Sequence, residues 1–216
     1  NFILEALSDI NEELIKKDSR VLIAEGDILN ILEFISQKFI IKGIYSHQET
    51  GLKVTYDRDK TVNNWCKEKK IILNEYLQQG VFRGIKNRKN WLQNWGKLMN
   101  QPIKKIKLNP QNLIPKKTIE NLKIYVKKQK LEFKSNGISK FQKGGTKYGN
   151  LYLNTFFKKR YQNYQKHISK PDLSRRSCSR LSPYLAYGNI SMRQIIQRTE
   201  LERKNGNNSL ALKSFS

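Results

Sequence analysis

Thiols, histidines and long apolar runs are all scarce in this chain of 216 residues. Its 2 cysteines, Cys66 and Cys178, stand far apart in sequence. That excludes a disulfide framework and a CxxC metal knuckle, and so few thiols point to a reducing compartment, taken here as the cytoplasm. The 2 histidines, His47 and His167, each lack a second ligand at metal spacing, so no metal site is expected. No apolar stretch approaches the roughly 18 residues that would cross a bilayer, which excludes a membrane-spanning chain. No secretory signal pattern is present. Acidic residues thin out toward the C-terminus. Residues 1–100 hold 16 basic and 13 acidic side chains, whereas residues 101–216 hold 26 and 5. The formal net charge is +24, and nearly all of it belongs to the second half. A polyanion, usually nucleic acid, is one partner that such asymmetry suits. A solvated, lysine-rich surface is the other reading of the same numbers.

What is present is enough for a folded core. The 22 aromatic side chains (3 Trp, 10 Tyr, 9 Phe) argue against a purely solvated chain. Apolar positions recur at helical spacing over residues 2–17 and 28–38. Arg20 to Ala24 reads as a short buried strand, and Glu25-Gly26-Asp27 as a turn that caps the next helix. Phe39 to Tyr45 and Ile71 to Glu75 read as further strands, with a helix over 56–70 between them. Strands alternating with helices predict βαβ units and a parallel sheet. Ligands on such sheets sit beyond the strand C-termini, which directs attention to the loop from Ser46 to Gly51. Glu49 there stands near a helix N-terminus, where the dipole favours a carboxylate. Trp65, Trp91 and Trp95 read as core residues, and Asp57-Arg58-Asp59-Lys60 as a solvated, locally paired helix start.

Pro102, Pro110 and Pro115 lie among lysines and mark a linker, followed by a short basic helix over 119–131. Beyond Gly144-Gly145 the pattern is helical, over 148–166 and again over 182–203. The chain therefore divides into an α/β region (1–100), a basic linker (101–140) and a helical region (141–216). One cluster stands out, Ser174-Arg175-Arg176-Ser177-Cys178-Ser179-Arg180-Leu181-Ser182-Pro183. Hydroxyls, an arginine and free N–H groups at a helix start suit a phosphate. An ordinary serine cap beside a chance Ser/Arg cluster is the alternative.

The run from Ser177 to Gln194 resembles the start of the flavin domain in the photolyase/cryptochrome family. Phe141-Gln142-Lys143-Gly144-Gly145, with Leu153, Phe156, Phe157 and Tyr164, is similar to the approach to that domain. Tyr45-Ser46-His47-Gln48-Glu49-Thr50-Gly51, Tyr56-Asp57-Arg58-Asp59, Gly80-Val81-Phe82-Arg83 and the Trp91/Trp95 segment resemble the antenna domain of one branch. The resemblance implies a Rossmann-like, parallel-sheet antenna domain followed by the start of an all-α FAD-binding domain. It implies that Ser179, Arg180, Leu181 and Ser182 hold the FAD diphosphate. Cys178 stands where many relatives have threonine. Tyr164 is the implied phosphate-contacting tyrosine, with Tyr161 and Lys166 as alternatives. The family implies FAD, a second chromophore of folate or deazaflavin type, DNA containing pyrimidine dimers as partner, and a monomer. The activity implied for an intact relative is that of a blue-light deoxyribodipyrimidine photo-lyase. A cryptochrome-like photoreceptor and a cofactor-free basic nucleic-acid-binding module are the alternatives. The family's catalytic residues would lie beyond Ser216 and its first strand before Phe2. The expectation is therefore a fragment, inactive by itself.

Overall fold

Asp27 opens the first segment whose boundaries follow directly from side-chain chemistry. Its carboxylate accepts the N–H groups of Leu29 and Asn30 at 2.9 and 3.3 Å, so the helix begins at Ile28. A computed structural model describes residues 2–122, 141–206 and 210–215. In chain order the elements are α1 (Phe2–Ile15), α2 (Ile28–Lys38), β1 (Gly43–His47), α3 (Lys53–Glu68) and β2 (Ile72–Tyr76). Then come α4 (Trp91–Met99), α5 (Lys116–Asn121), α6 (Thr146–Lys158), α7 (Tyr164–His167) and α8 (Pro171–Ser177). The described chain ends with α9 (Ser182–Ala186), α10 (Met192–Lys204) and α11 (Leu210–Phe215). Residues 123–131 of the expected basic helix lie outside the described residues, and α5 covers its beginning. None of these helices is long and apolar enough to cross a membrane.

The described residues group into two units. One comprises residues 22–95 with the described part of 115–132. Its sheet is small: β1 and β2 pair in parallel, Gly43 opposite Ile72 and His47 opposite Tyr76, with α3 as the connection. The expected strand at Arg20–Ala24 does not form among the described residues. The Val21 N–H donates to the Asn11 side chain at 3.0 Å instead of to a ladder, and Leu22 and Ile23 stay largely exposed. The strand expected over 39–45 begins only at Gly43, where pairing with Ile72 starts, since Phe39 still caps α2 with its N–H on the Ile35 carbonyl. Helix α3 packs on α2, and the buried Trp65 donates its indole N–H to Glu33 at 2.9 Å.

The other unit comprises the described residues of 1–21, 96–114 and 133–216. Its core is Leu153, Phe156, Phe157, Tyr161, Leu181, Tyr184, Ile190, Ile195, Ala211 and Leu212. Helix α1 docks through acids that cap the start of α6. Glu5 accepts the Gly144 N–H at 2.6 Å and Asp9 the Thr146 N–H at 2.7 Å. Gly144 permits that approach, since a Cβ there would lie 2.1 Å from the Phe2 carbonyl oxygen. The helix expected over 182–203 is two helices. Gly188, at φ 68°, ends the first, and Ser191 with Gln194 forms a capping box that starts α10.

Candidate functional site: a turn clamped by Arg160 and Gln142

Residues 178–181 connect α8 to α9, and their backbone is held from outside. The guanidinium of Arg160 donates to the carbonyl oxygens of Cys178 and Ser179, and to that of Tyr152 at 2.5 Å. It also donates to the Thr155 hydroxyl at 3.0 Å. Gln142 donates its amide N–H to the Arg180 carbonyl at 2.9 Å. Tyr184, fully buried, donates its hydroxyl to the Lys143 carbonyl at 2.7 Å and so fixes the segment that carries Gln142. Arg180 adopts φ 58°, the left-handed region that an L side chain occupies only at a cost. Leu181, at 2% exposure, anchors the end of the turn in the core.

The electrostatics of this turn are one-sided. The Arg180 and Arg160 guanidinium carbons sit 5.4 and 5.6 Å from the centroid of the same Tyr152 ring. Neither cation has a carboxylate partner among the described residues. Burial and then the neighbouring Arg180 charge pull the Arg160 pKa below its ordinary value. Two cations thus share one ring, with no carboxylate partner among the described residues, and leave the turn locally positive. Helix geometry adds the Ser182 N–H, which precedes the first bonded amide of α9, Leu185 to Leu181.

No known family's sequence profile matches the chain, and no curated protein resembles it in sequence. The crystal structure of a bacterial class III photolyase from Agrobacterium tumefaciens does align with it, at a TM-score of 0.62 and 16% identity. The alignment covers 92% of this chain and 43% of that one. The fold is photolyase-like. The chain spans less than half the length of that photolyase.

On this photolyase-like frame the sequence-predicted residues fall into two groups. Ser179, Arg180 and Leu181 form the clamped turn, and Cys178 contributes its carbonyl, not its thiol, as the acceptor for Arg160. Ser182 is the first residue of α9 and is exposed. No serine caps that helix: Leu181 occupies the cap position and makes no side-chain cap bond, so the serine-cap reading fails. Tyr164 belongs to the second group, with its ring edge-on to Phe156 and Phe215 at 5.8 and 5.5 Å. Burial, then the nearby Cys178, raises its pKa. Tyr161 is buried against the same core, and Lys166 is exposed. Arg160 and Gln142 hold the turn, and sequence reasoning assigned a role to neither.

The other unit has its own organised region. Arg83 donates to the Glu49 carbonyl at 2.6 Å and to Asp59 at 2.5 Å, and lies 3.4 Å from Glu75. Asp59 also accepts the Glu49 N–H at 3.0 Å. The Glu49 carboxylate accepts the N–H groups of Thr50 and Gly51, both at 2.9 Å. The loop after β1 is thus tied to α3 and to the segment after β2. Asp59 is therefore not simply solvated, since its side chain is 15% exposed. Beside this network is a cavity of about 510 Å³ lined by Ile28, Ile31, Ile44, Leu73, Ser46 and Glu75, among others. Trp91 and Trp95 stack with centroids 6.1 Å apart, and Trp91 lies at the surface, outside the core role expected for it.

Proposed function

We propose that this chain is part of an FAD-dependent, blue-light DNA photolyase, and that the turn at residues 178–182 takes the diphosphate of FAD. The observation that carries the reading is the pair of guanidiniums at Tyr152 with no carboxylate between them, on a photolyase-like fold. An anion of two adjacent phosphates fits that deficit in charge and in number. Arg180 supplies the charge that faces the ligand. Arg160 and Gln142 act as positioning residues, because their donors are spent on the turn's own carbonyls. Ser179 and Ser182 add hydroxyl donors, and Tyr164, packed against the core and near Cys178, is the proposed phenol contact. Bound FAD supplies the light absorption and the electron transferred to a pyrimidine dimer in DNA. Such an enzyme reaches the lesion by taking it out of the base stack. The cavity of about 510 Å³ in the other unit has a volume suited to a second chromophore of folate or deazaflavin type.

The test is a titration followed by flavin fluorescence anisotropy, with FAD and riboflavin compared. Diphosphate recognition predicts that FAD binds at least about tenfold tighter than riboflavin, the worth of one charge-assisted contact. Arg180→Gln is expected to erase that preference. Equal binding of the two flavins by the unaltered chain overturns the assignment.

A further inference from the structure

Arg160 and Arg180 share the Tyr152 ring but are held in different ways. The Arg160 guanidinium is fixed by hydrogen bonds to the carbonyl oxygens of Tyr152, Cys178 and Ser179 and to the Thr155 hydroxyl. Among the described residues the Arg180 guanidinium makes no hydrogen bond and no ion pair, and its ring contact is Tyr152, at 5.4 Å. The turn sets the Arg180 backbone, so the direction of its side chain depends on that ring.

Tyr152 is placed to give that direction. It belongs to α6, it is half-buried, and its ring lies 5.7 Å from that of Tyr184, tilted by 36°. Tyr184 is fully buried, so packing holds the Tyr152 ring before any ligand arrives. The chemistry of the contact matters as much as its position. A carboxylate that held Arg180 would take the N–H groups an incoming anion needs, and would repel that anion. An aromatic ring attracts the guanidinium through its π face and takes none of the five N–H donors. It also eases the repulsion between two cations, since the Arg160 guanidinium carbon is 5.6 Å from the same centroid. Arg180 is thereby kept both ordered and unspent.

We infer that Tyr152 is a specificity-determining positioning residue of the turn, its ring holding the Arg180 guanidinium beside Arg160 with donors free for two adjacent phosphates. The inference rests on the reading above for FAD as the carrier of those phosphates. It places part of the selectivity for a diphosphate in a residue that carries no charge.

The experiment compares Tyr152→Phe, which keeps the ring, with Tyr152→Met and Tyr152→Leu, which remove it. Each is also combined with Arg180→Gln. FAD and riboflavin are titrated by flavin fluorescence anisotropy, and inorganic pyrophosphate by isothermal titration calorimetry, so that one arm needs no flavin. Loss of the ring is expected to cut the preference for FAD over riboflavin by about three- to tenfold, with riboflavin affinity unchanged. Pyrophosphate binding should weaken by a similar factor. Tyr152→Phe should stay within about twofold of the unaltered chain. With Arg180→Gln already present, removing the ring should have no further effect, because the cation it holds is gone. A ringless variant that keeps both the FAD preference and the pyrophosphate affinity overturns the inference. So do losses that add to those of Arg180→Gln, or that fall on FAD and riboflavin alike, the mark of packing against Tyr184. A phenylalanine variant that loses as much as the methionine variant overturns it in favour of the phenol. Circular dichroism establishes that each variant is folded, and the methionine variant carries the test if the leucine variant does not fold. Ring-dependent pyrophosphate binding in a chain with no preference for FAD retains the role of Tyr152 toward an anion and refutes the flavin assignment.

Discussion

Arg180 combines an unfavourable backbone with an unbalanced charge, and the two are separable by substitution. At φ 58° a Cβ costs about 1 kcal/mol or more, which glycine does not pay. Arg180→Ala keeps that cost and loses the stacking on Tyr152 at 5.4 Å, worth about 0.5 to 1 kcal/mol at a half-exposed site. Arg180→Gly loses the same stacking and gains relief of the backbone, offset in part by the greater freedom of glycine in the unfolded chain. The glycine variant is therefore expected to be the more stable of the two by about 0.5 to 1 kcal/mol. It should lie within about 1 kcal/mol of the unaltered chain. For a chain of this size the difference between the variants is about 1 to 4 °C in Tm. The assay is thermal melting followed by near-UV tyrosine circular dichroism, since Tyr148, Tyr152, Tyr161, Tyr164, Tyr184 and Tyr187 all belong to this unit. Tryptophan fluorescence reads the other unit separately, because Trp65, Trp91 and Trp95 all lie there. Both variants should lose the preference for FAD over riboflavin equally. A glycine variant less stable than the alanine variant refutes the left-handed turn. A glycine variant that keeps the FAD preference refutes the role given to the guanidinium.

Arg160→Met removes the donors to the Cys178, Ser179 and Tyr152 carbonyls, and is expected to cost about 2 to 3 kcal/mol in urea denaturation by the tyrosine signal, with Arg160→Lys recovering part of it. Gly149→Ala puts a Cβ 2.8 Å from the Ile190 Cδ1 inside the core and is expected to cost about 1 to 3 kcal/mol. Adding Ile190→Val should recover part of that loss, so the double variant is more stable than the two single changes predict. Burial works against ionisation of Asp59, but the hydrogen bonds from Arg83, the Glu49 N–H and Arg58 outweigh it and hold the pKa below the usual carboxylate range. Its stabilisation is then complete at neutral pH, and is lost as the pH falls through about 4 toward the lowered folded value. Asp59→Asn should flatten the acid side of the stability profile read by tryptophan fluorescence, and an unchanged profile counts against the Arg83 clamp.

The parts of the fold written in local sequence were legible. Helix α2 was read with the bounds it has, because Asp27 caps it and its apolar residues repeat every three to four positions. Misreadings arose where a distant group competes for the backbone. Arg20 to Ala24 has the composition of a strand, yet the Asn11 side chain takes the Val21 N–H. The continuous helix expected over 182–203 was a misreading of a different kind, since its break was local. Gly188 followed by Ser191-x-x-Gln194 is a helix stop and a capping box, both of them local signals in the sequence.

The candidate site divides along the same line. Ser179, Arg180 and Leu181 were conspicuous because hydroxyls and an arginine crowd a helix start. Arg160 was not, because its partners are carbonyl oxygens 18 and 19 residues ahead and 8 behind, which carry no residue-type signal. Gln142 is likewise bonded across 38 positions to a carbonyl. Carbonyls held by Arg160 and Gln142 point toward those donors, so the opposite side of each peptide, its N–H, is directed away from them. Under the proposed reading, replacing Ser179 or Ser182 is expected to weaken FAD binding only in part, whereas replacing Arg160 is expected to disturb the turn that presents them.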